Sequence, residues 1–425
     1  MSQNEIISSP TLRQGHDVTA LVRRGCVVRF PTEVERLEGD LRNGAFVTRA
    51  LVDARAAIFA AGRNFKAGLP VDQYVAQNLA ITETFFASLS RARPSIRVVF
   101  TSSMSAMAGS LEPFTFTEES GRAKVVPNLL SPYDHAKIAC ERVARQAVSA
   151  GRDVVILNPG FMLGPGASAH SPVTSSAMVK WFCSRQNPAM VARGGHSYCD
   201  VRDVASAHVA ALTQGHGQYV LGGDNLDALQ FHRMMSEQTG VRLPLQISPA
   251  LAFNLMAVLD GVSAATFGRW RNPVHRKFAR SLSLFYWGDS NRAARELSYR
   301  RRPLAHTIRD TVADLVRRDQ LSVEFRYIED MTDENQRSLQ LFRELSNRHL
   351  HRMHLLPRLA SILAACRQNR ELAAALDEAL ALGRYDPARG RFHWTGQRPH
   401  SALAKLSNLL DYCYYASDEF LARVS

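Results

Sequence analysis

Short apolar runs alternate with longer stretches of helical spacing over the first half of the chain. The apolar runs predict buried strands, and they read "DVTALV", "AAIFAAG", "IRVVFTSS" and "DVVILNPGF". Apolar residues recur with helical period over 72–91 and 133–150, which predicts two amphipathic helices, the second ended by Gly151. Strands that are apolar throughout, with helices between them, are typical of a parallel sheet covered on both faces. The pattern therefore predicts an α/β fold built on a doubly wound parallel sheet.

The second half of the chain divides into two further parts. After Pro165 the pattern is less regular, although "GQYVLGG" still predicts a strand, and we interpret about 165–300 as a capping part interleaved with late sheet strands. From Ser322 onward the spacing is helical with almost no strand pattern, as in "ENQRSLQLFRELSNRHL" and "RELAAALDEALALG". A chain of 425 residues also exceeds one typical domain. We therefore predict a first domain over 1–321 and an all-helical domain over 322–425.

Composition narrows the class of protein. Hydrophobic residues make up 46% of the chain and charged residues 21%, as in soluble globular proteins. The first twelve residues lack the apolar run of a secretory signal, and no uncharged apolar stretch of about 18 residues predicts a spanning helix. The six cysteines are scattered without a CxxC pair, which indicates reduced thiols. We expect a cytoplasmic protein.

The charge is uneven along the chain. Of the net charge of +13, much lies in residues 269–302, which hold ten basic and two acidic residues. Such a stretch favours an anionic partner: a phosphorylated cofactor, an acidic lipid surface or nucleic acid. No nucleic-acid recognition motif accompanies it, whereas the preceding "ALAFNLMAVL" helix is compatible with peripheral membrane contact. The alternative is a solvated basic face.

Tyr133 and Lys137 are the sharpest candidates for chemistry. Their spacing of four places both side chains on one face of the predicted helix. A neighbouring ammonium favours the phenolate, so such a tyrosine can exchange a proton with a substrate oxygen. The spacing is common by chance, but about thirty residues earlier a predicted strand ends in the hydroxyls of Thr101, Ser102 and Ser103. Hydroxyls at the carboxyl end of a parallel strand face the ligand crevice.

Several segments of the chain, among them those that hold Ser103, Tyr133 and Lys137, occur in the same order as segments of the extended short-chain dehydrogenases/reductases and resemble them. The resemblance is to the NAD-dependent epimerase/dehydratase and 3β-hydroxysteroid dehydrogenase/dihydroflavonol reductase type. The resemblance covers roughly residues 10–320 and implies a Rossmann-like fold. The matching segments are "VERLEGDLRN", "AAIFAAG", "YVAQNLAITETFF", "FTSS", "YDHAK", "VVILNPGFMLGPG", "YCDVRDVASAHVAAL" and "GDSNRAARELSYRRRPLAHTIRDTVADL".

The resemblance implies an NAD(P)-dependent oxidoreductase that transfers hydride at an alcohol or ketone carbon. It makes Tyr133 the general acid/base and Ser103 the group that orients the substrate oxygen. Lys137 favours the phenolate and holds the nicotinamide ribose, and Asn78 steadies Lys137. We expect a hydrophobic or polyketide-like substrate. The alternative is a non-catalytic scaffold or regulator that uses a degenerate reductase fold and binds partners, or a second copy of itself, through the helical tail.

The same resemblance implies the cofactor contacts. They lie at the ends of successive strands: Asp40 and Leu41 at the adenine, Ala60, Ala61 and Gly62 along the cofactor, and Pro159 and Gly160 at the nicotinamide.

Arg23 and Arg24 follow the "TALV" strand, where an acidic residue would select NAD and arginines suit the extra phosphate of NADP. We therefore expect NADP as the cofactor, with NAD as the alternative. The interpretation without function is that both arginines are ordinary surface residues. No metal is expected, since the histidines at 349, 351 and 354 lack a carboxylate to complete a ligand set.

One part of the family pattern is missing from the sequence. The family begins with a strand, a GxxGxxG loop and a helix before the point that matches Gly15, but residues 1–14 contain no glycine. We therefore expect the first strand and the phosphate loop to be absent, which would leave a gap in the sheet and weaken the activity. Two explanations stay open: a late start or a lost piece, or a natural degenerate member of the family.

Overall fold

The computed structural model describes most of the chain up to residue 321 and part of the remainder. The described residues are 15–25, 30–63, 69–92, 95–120, 124–166, 175–183, 190–239, 243–248, 283–318, 370–386 and 391–394, with the positions 11, 241, 250, 251, 254, 257, 258, 261, 320, 321, 401 and 406. They fall into two units. The first comprises Met1–Trp181, Asn187–Met234 and Leu243–Asp314, and the second comprises Phe182–Gln186, Met235–Arg242 and Leu315–Ser425.

Parallel strands form the centre of the first unit. The strands β1 (Thr19–Val22) and β2 (Glu35–Glu38) pair in parallel as a two-stranded sheet. Four further strands are β3 (Ala56–Phe59), β4 (Arg97–Thr101), β6 (Val154–Pro159) and β10 (Gly217–Leu221). They form a parallel sheet of the order β10-β6-β4-β3. All six residues of β6 are buried, as its largely apolar sequence predicts for a central strand.

Side chains of alternating strand positions build two cores. Phe100 and Ile156 point to one face, where they pack with Phe85 and Leu89. Val99 and Leu157 belong to the cluster on the other face, together with Tyr219. Helices therefore cover both faces, and the predicted Rossmann-like α/β fold is confirmed.

Three of the described helices lie between residues 44 and 149. The helix α1 (Gly44–Leu51) begins at Asn43, α2 spans Val71–Ala92, and α3 spans Pro132–Ser149. A capping box fixes the start of α3: the Ser131 hydroxyl accepts from the Asp134 backbone N–H at 3.3 Å, and the Asp134 carboxylate accepts from the Ser131 N–H at 2.6 Å. Gly151, with a φ of 81°, follows the end of α3. The helices predicted over 72–91 and 133–150 are thus confirmed.

A second sheet and further helices follow. The strands of this sheet are β5 (Thr115–Phe116), β7 (Phe161–Leu163), β9 (Gly195–Asp200), β11 (Asp224–Asp227) and β13 (Phe285–Gly288). Their order is β11-β9-β13-β5, with β7 paired to β9. A separate parallel pair consists of β8 (Met190–Ala192) and β12 (Leu245–Ile247). The helices are α4 (Ser176–Cys183), α5 (Val201–Ala210), α6 (Ala228–Thr239), α7 (Asn291–Glu296) and α8 (Leu304–Arg317).

The tail differs from the all-helical prediction. Its described residues comprise the helix α9 (Arg370–Ala381), a hairpin of β14 (Gly383–Asp386) and β15 (Arg391–Trp394), and the helical positions 401 and 406. The hairpin is antiparallel and pairs Tyr385 with Phe392. Strands of four residues on either side of a short Pro- and Gly-containing connection carry too little alternation to be recognised from sequence. Residues 322–369, with the histidines at 349, 351 and 354, lie outside the described part.

Two aliphatic strands lie at sheet edges. Within the described residues β1 pairs with β2 alone and β3 with β4 alone, so one edge of each carries no partner. Both strands have the apolar composition of interior strands. The absence of a first strand and a phosphate loop stays a prediction, because residues 1–10 and 12–14 lie outside the described part.

No helix among the described residues is long and apolar enough to span a membrane. Of the basic stretch 269–302, the structure describes residues 283–302, and peripheral membrane contact stays a prediction.

A buried histidine gives the first unit a testable pH dependence. His208 on α5 lies within 2.8 Å of the Val204 carbonyl through Nδ1 and within 2.8 Å of the Thr101 hydroxyl through Nε2. Because a carbonyl only accepts, Nδ1 carries the proton and Nε2 accepts from Thr101. This ring is fully buried and neutral, and burial lowers the pKa of His208 to about 4.

We expect acid to destabilise the chain through His208. The folded-state pKa lies below the unfolded value of about 6.5, so the stabilisation is complete above pH ~6.5 and is lost as pH falls towards 4. Between pH ~7.5 and ~5 the free energy of unfolding should fall by about 2 kcal/mol through this group. Urea unfolding of His208→Gln should show a pH dependence smaller by that amount. The exposed His306 provides the control as His306→Gln, and an equal pH dependence in His208→Gln and wild type would contradict the assignment.

Candidate functional site

The predicted site residues lie at the carboxyl ends of neighbouring strands. Ser102 and Ser103 follow β4, Pro159 ends β6 with Gly160 after it, and Ala60 to Gly62 follow β3. The first two turns of α3 carry Tyr133 and Lys137. The carboxyl edge of a parallel sheet is where α/β proteins bind ligands.

Lys137 joins α3 to the end of β4. Its Nζ donates to the backbone carbonyls of Thr101 and Ser102, each at 3.3 Å. The same Nζ lies 5.8 Å from the centroid of the Tyr133 ring. The structure therefore brings Lys137 and Tyr133 together at the strand end that carries Ser103.

Ser103 stands where the strand turns into a short 3-10 helix over Met104–Ala106. Its hydroxyl oxygen accepts from the Ser105 backbone N–H at 3.2 Å, and its carbonyl accepts from Asn158 Nδ2 at 2.8 Å. Since the hydroxyl oxygen is used as an acceptor, its proton is available for a substrate oxygen. The side chain is half-buried, as is that of Tyr133.

Asn78 contacts a different group from the one that the resemblance implies. Its Oδ1 accepts from the Arg63 backbone N–H at 2.8 Å, and its Nδ2 donates to the Tyr74 carbonyl at 3.0 Å. The Tyr74 hydroxyl in turn donates to the Arg63 carbonyl at 2.8 Å. Asn78 and Tyr74 thus hold the turn after β3, and a link from Asn78 to Lys137 stays a prediction.

The remaining predicted cofactor residues lie after β1 and β2. Arg23 and Arg24 directly follow β1, and both are exposed. Asp40 follows β2 and pairs with Arg42 at 2.6 Å; hydrogen bonds from Arg42 hold the pKa of this carboxyl at about 2, with a smaller contribution from the charge of Arg63. Leu41 is partly buried against the core of the first face. The Asp40 carboxylate is therefore ionised at neutral pH.

Sequence reasoning missed an aromatic cluster of Phe161, His196, Tyr198 and Tyr286. The His196 ring stacks on Tyr286 at 5.3 Å and lies 5.2 Å from Phe161. The Tyr286 hydroxyl donates to the buried Asp134 carboxylate at 3.1 Å, next to Tyr133 in the chain. Burial lowers the pKa of His196 to about 4, so the ring is neutral at physiological pH. Only the topology, which sets β7, β9 and β13 side by side, unites these residues.

Comparison with known proteins decides the family. The model of the NAD dependent epimerase/dehydratase family matches residues 7–222, half of the chain. The chain belongs to this family. The resemblance found in the sequence is thereby confirmed.

An individual relative agrees with the family. A protein of Synechocystis sp. described as "Putative dihydroflavonol 4-reductase" is 29% identical over 223 residues, which cover 51% of this chain and 63% of the relative. The chain thus matches less than two thirds of that relative's length.

Solved structures share the fold. A nucleoside-diphosphate-sugar epimerase from Pseudomonas aeruginosa superposes with a TM-score of 0.59 at 21% identity, covering 76% of this chain and 96% of its own. The UDP-glucose 4-epimerase of Bifidobacterium longum, solved with NAD+ and UDP, gives a TM-score of 0.54 at 17% identity, covering 75% and 96% of the two chains.

Proposed function

We propose that this member of the family is an NAD(P)-dependent oxidoreductase that acts on an alcohol or ketone through Ser103, Tyr133 and Lys137. The observation that carries the proposal is the placement of Lys137. Its ammonium is held by two consecutive carbonyls at the end of β4, and its Nζ lies 5.8 Å from the centroid of the Tyr133 ring. A lysine whose role was only to be solvated would not be tied to the strand end from which the candidate Ser103 projects.

Each side chain has a separate task in the proposed reaction. The Tyr133 phenol gives a proton to the substrate oxygen or takes one from it. The ammonium of Lys137 has three N–H groups, two of which the backbone uses, so the third is left for a ribose hydroxyl. The Ser103 hydroxyl donates to the substrate oxygen and fixes its distance from the phenol. A bound nicotinamide supplies or accepts the hydride.

The backbone after β3 supports the proposed place of the nicotinamide end of such a cofactor. Gly62 is exposed, and among the described residues a Cβ there would meet the Asn78 side chain alone, at 3.5 Å, which supports a close approach of a cofactor to this backbone. We propose that Ala60 to Gly62, with Pro159 and Gly160, line this part of the cofactor. Asp40 and Leu41 would then lie at the adenine.

We propose NADP rather than NAD as the preferred cofactor. Arg23 and Arg24 are exposed directly after β1, at the strand end that selects between the two cofactors in dinucleotide folds. Guanidinium groups form strong, charge-assisted hydrogen bonds with a phosphate.

The aromatic cluster supports a hydrophobic substrate. Phe161 and the neutral His196 ring are half-buried rather than fully enclosed, and Tyr286 connects them to the start of α3. A planar or aliphatic alcohol would remove this apolar surface from water, with a gain of roughly 25 cal/mol per Å². A nucleotide sugar such as UDP-glucose, after which the Bifidobacterium epimerase is named, carries hydroxyls that would find few polar partners among these rings.

We expect the 425-residue chain to bind NADPH saturably, with micromolar affinity, in a fluorescence titration. Lys137→Ala should weaken binding by about tenfold, because one charge-assisted hydrogen bond to the ribose contributes about 1.5 kcal/mol. Lys124, a basic residue of the preceding loop, provides the control as Lys124→Ala. The absence of binding at millimolar NADPH and NADH would overturn the proposal of an oxidoreductase and favour the alternative of a non-catalytic scaffold.

A further inference from the structure

A buried carboxylate lies behind the proposed catalytic serine. Glu141 is one helical turn beyond Lys137 on α3, and its side chain is 5% exposed. Four side-chain donors converge on it: Ser102 Oγ at 2.6 Å, Asn158 Nδ2 at 2.7 Å, Arg145 Nε at 2.9 Å and Gln218 Nε2 at 3.3 Å. Since every contact is a donor, the site suits an ionised carboxylate.

Asn158 extends this network to the backbone of Ser103. Its Nδ2 donates both to Glu141 and to the Ser103 carbonyl, the latter at 2.8 Å. Its Oδ1 accepts from Gln218 Nε2 at 2.7 Å, which fixes the orientation of the amide. Asn158 is fully buried in β6. The network therefore links α3, β6 and β10 to the turn after β4.

The carbonyls of three consecutive residues are held by side chains from this region. Lys137 holds those of Thr101 and Ser102, and Asn158 holds that of Ser103. With these carbonyls fixed, rotation of the peptide planes that would redirect the Ser103 hydroxyl costs hydrogen bonds. Burying a carboxylate costs free energy, because the charge is removed from water. Apolar residues of similar volume often stabilise a core as well or better. The network is thus better explained by what it positions than by stability.

We propose that Glu141, acting through Asn158, is a positioning residue that fixes the Ser103 hydroxyl for the substrate oxygen. The inference rests on the proposed function, because it assumes that Ser103 contacts substrate. Glu141 itself touches neither substrate nor cofactor. Its effect should appear in turnover rather than in binding, since small misplacements of a reacting group cost rate.

Two variants test the proposal. Glu141→Gln places an amide N–H₂ among four donors and should lower kcat about tenfold, with the KM for NADPH within about twofold of wild type. The double variant Glu141→Gln/Asn158→Asp returns a carboxylate and an amide to the network in exchanged places. It should recover only part of the stability that Glu141→Gln loses, because a carboxylate oxygen at position 158 would face the Ser103 carbonyl. A carboxylate at position 158 cannot donate to the Ser103 carbonyl, so kcat should stay low.

Amide hydrogen exchange of Ser105, whose N–H is bonded to the Ser103 hydroxyl, gives a readout without turnover. Both variants should exchange faster than wild type at this amide, and the exposed control Arg142→Gln should not. Should Glu141→Gln fail to fold, Asn158→Ala removes the donor to the Ser103 carbonyl, leaves Glu141 its other three donors and should show the same selective loss of kcat.

The outcomes separate the two proposals. Recovery of both kcat and stability in the double variant would show that the network only stabilises the fold, and it would overturn the positioning role. Absence of turnover in wild-type protein would overturn the proposed function instead. In that case unchanged exchange at Ser105 in both variants would overturn the positioning role independently.

Discussion

Tyr133→Phe is expected to lower turnover by about 10²–10⁴-fold while NADPH affinity stays within about twofold. The substitution removes the phenolic oxygen that exchanges a proton with the substrate and keeps the ring over which Lys137 lies. Lys137 keeps both of its backbone partners, so its contact with the ribose should survive. Steady-state kinetics with a substrate found by screening, together with the fluorescence titration, measure the two quantities separately.

Tyr219 of β10 provides a matched control. Tyr219→Phe also removes a buried hydroxyl, one that donates to Glu296 and accepts from the His216 N–H away from the site. It should lower stability and leave kcat close to wild type. If Tyr133→Phe retained a kcat within about threefold of wild type, Tyr133 would not be the proton donor, and the chemistry would have to be assigned to another group.

The sheet could be predicted because its strands are apolar on both faces. Val99 and Phe100 of β4 pack into different cores, and no polar position interrupts the run Val98–Phe100. The same reasoning located Tyr133 and Lys137, since a spacing of four on a helix defines one face without any tertiary information. Ser103 could be assigned because it closely follows an apolar strand.

The network around Glu141 could not be found in this way. A glutamate in an amphipathic helix is typical of a solvated face, and Glu141 is buried only because β6 and β10 place Asn158 and Gln218 against it. The one sequence signal was Asn158 itself, a polar residue within the otherwise apolar run "VVILNP". A buried polar side chain in a central strand needs partners, and this need indicates a network before its members are known.

Asn78 shows the opposite case, in which the residue was found but its contacts were not. Its burial on α2 follows from the helical pattern, whereas its bond to the Arg63 backbone depends on how the chain turns after β3. Turn conformations of irregular segments are not encoded in the periodicity of the sequence. The structure therefore adds the turn at Gly62 and Arg63, held by Asn78 and Tyr74, to the features that shape the proposed cofactor side of the site.

Asp200→Ala is expected to lower the free energy of unfolding by about 3–5 kcal/mol. The Asp200 side chain is fully buried at the junction of β9 and α5. It accepts from the Arg202 backbone N–H at 2.8 Å, from Arg202 Nε at 2.9 Å and from the Thr307 hydroxyl of α8 at 2.8 Å. Burial alone would raise the pKa of Asp200, but the bonds from Arg202 outweigh it and the pKa is lowered. Alanine would leave these donors without an acceptor.

Two further variants identify the origin of this loss in urea unfolding. Asp200→Asn keeps an acceptor for the N-terminus of α5 but removes the charge, so it should lose less than alanine does. Asp310→Asn breaks the other ion pair of Arg202, at 2.6 Å, on a side chain that is 33% exposed, and it should cost about 1 kcal/mol or less. Equal losses of unfolding free energy in Asp200→Ala and Asp310→Asn would mean that the ion pairs with Arg202 make the dominant contribution. A much larger loss of unfolding free energy for Asp200→Ala would show that the buried carboxylate holds β9, α5 and α8 together. The strand β9 also carries His196 of the aromatic cluster, so Asp200 would then stabilise that part of the fold.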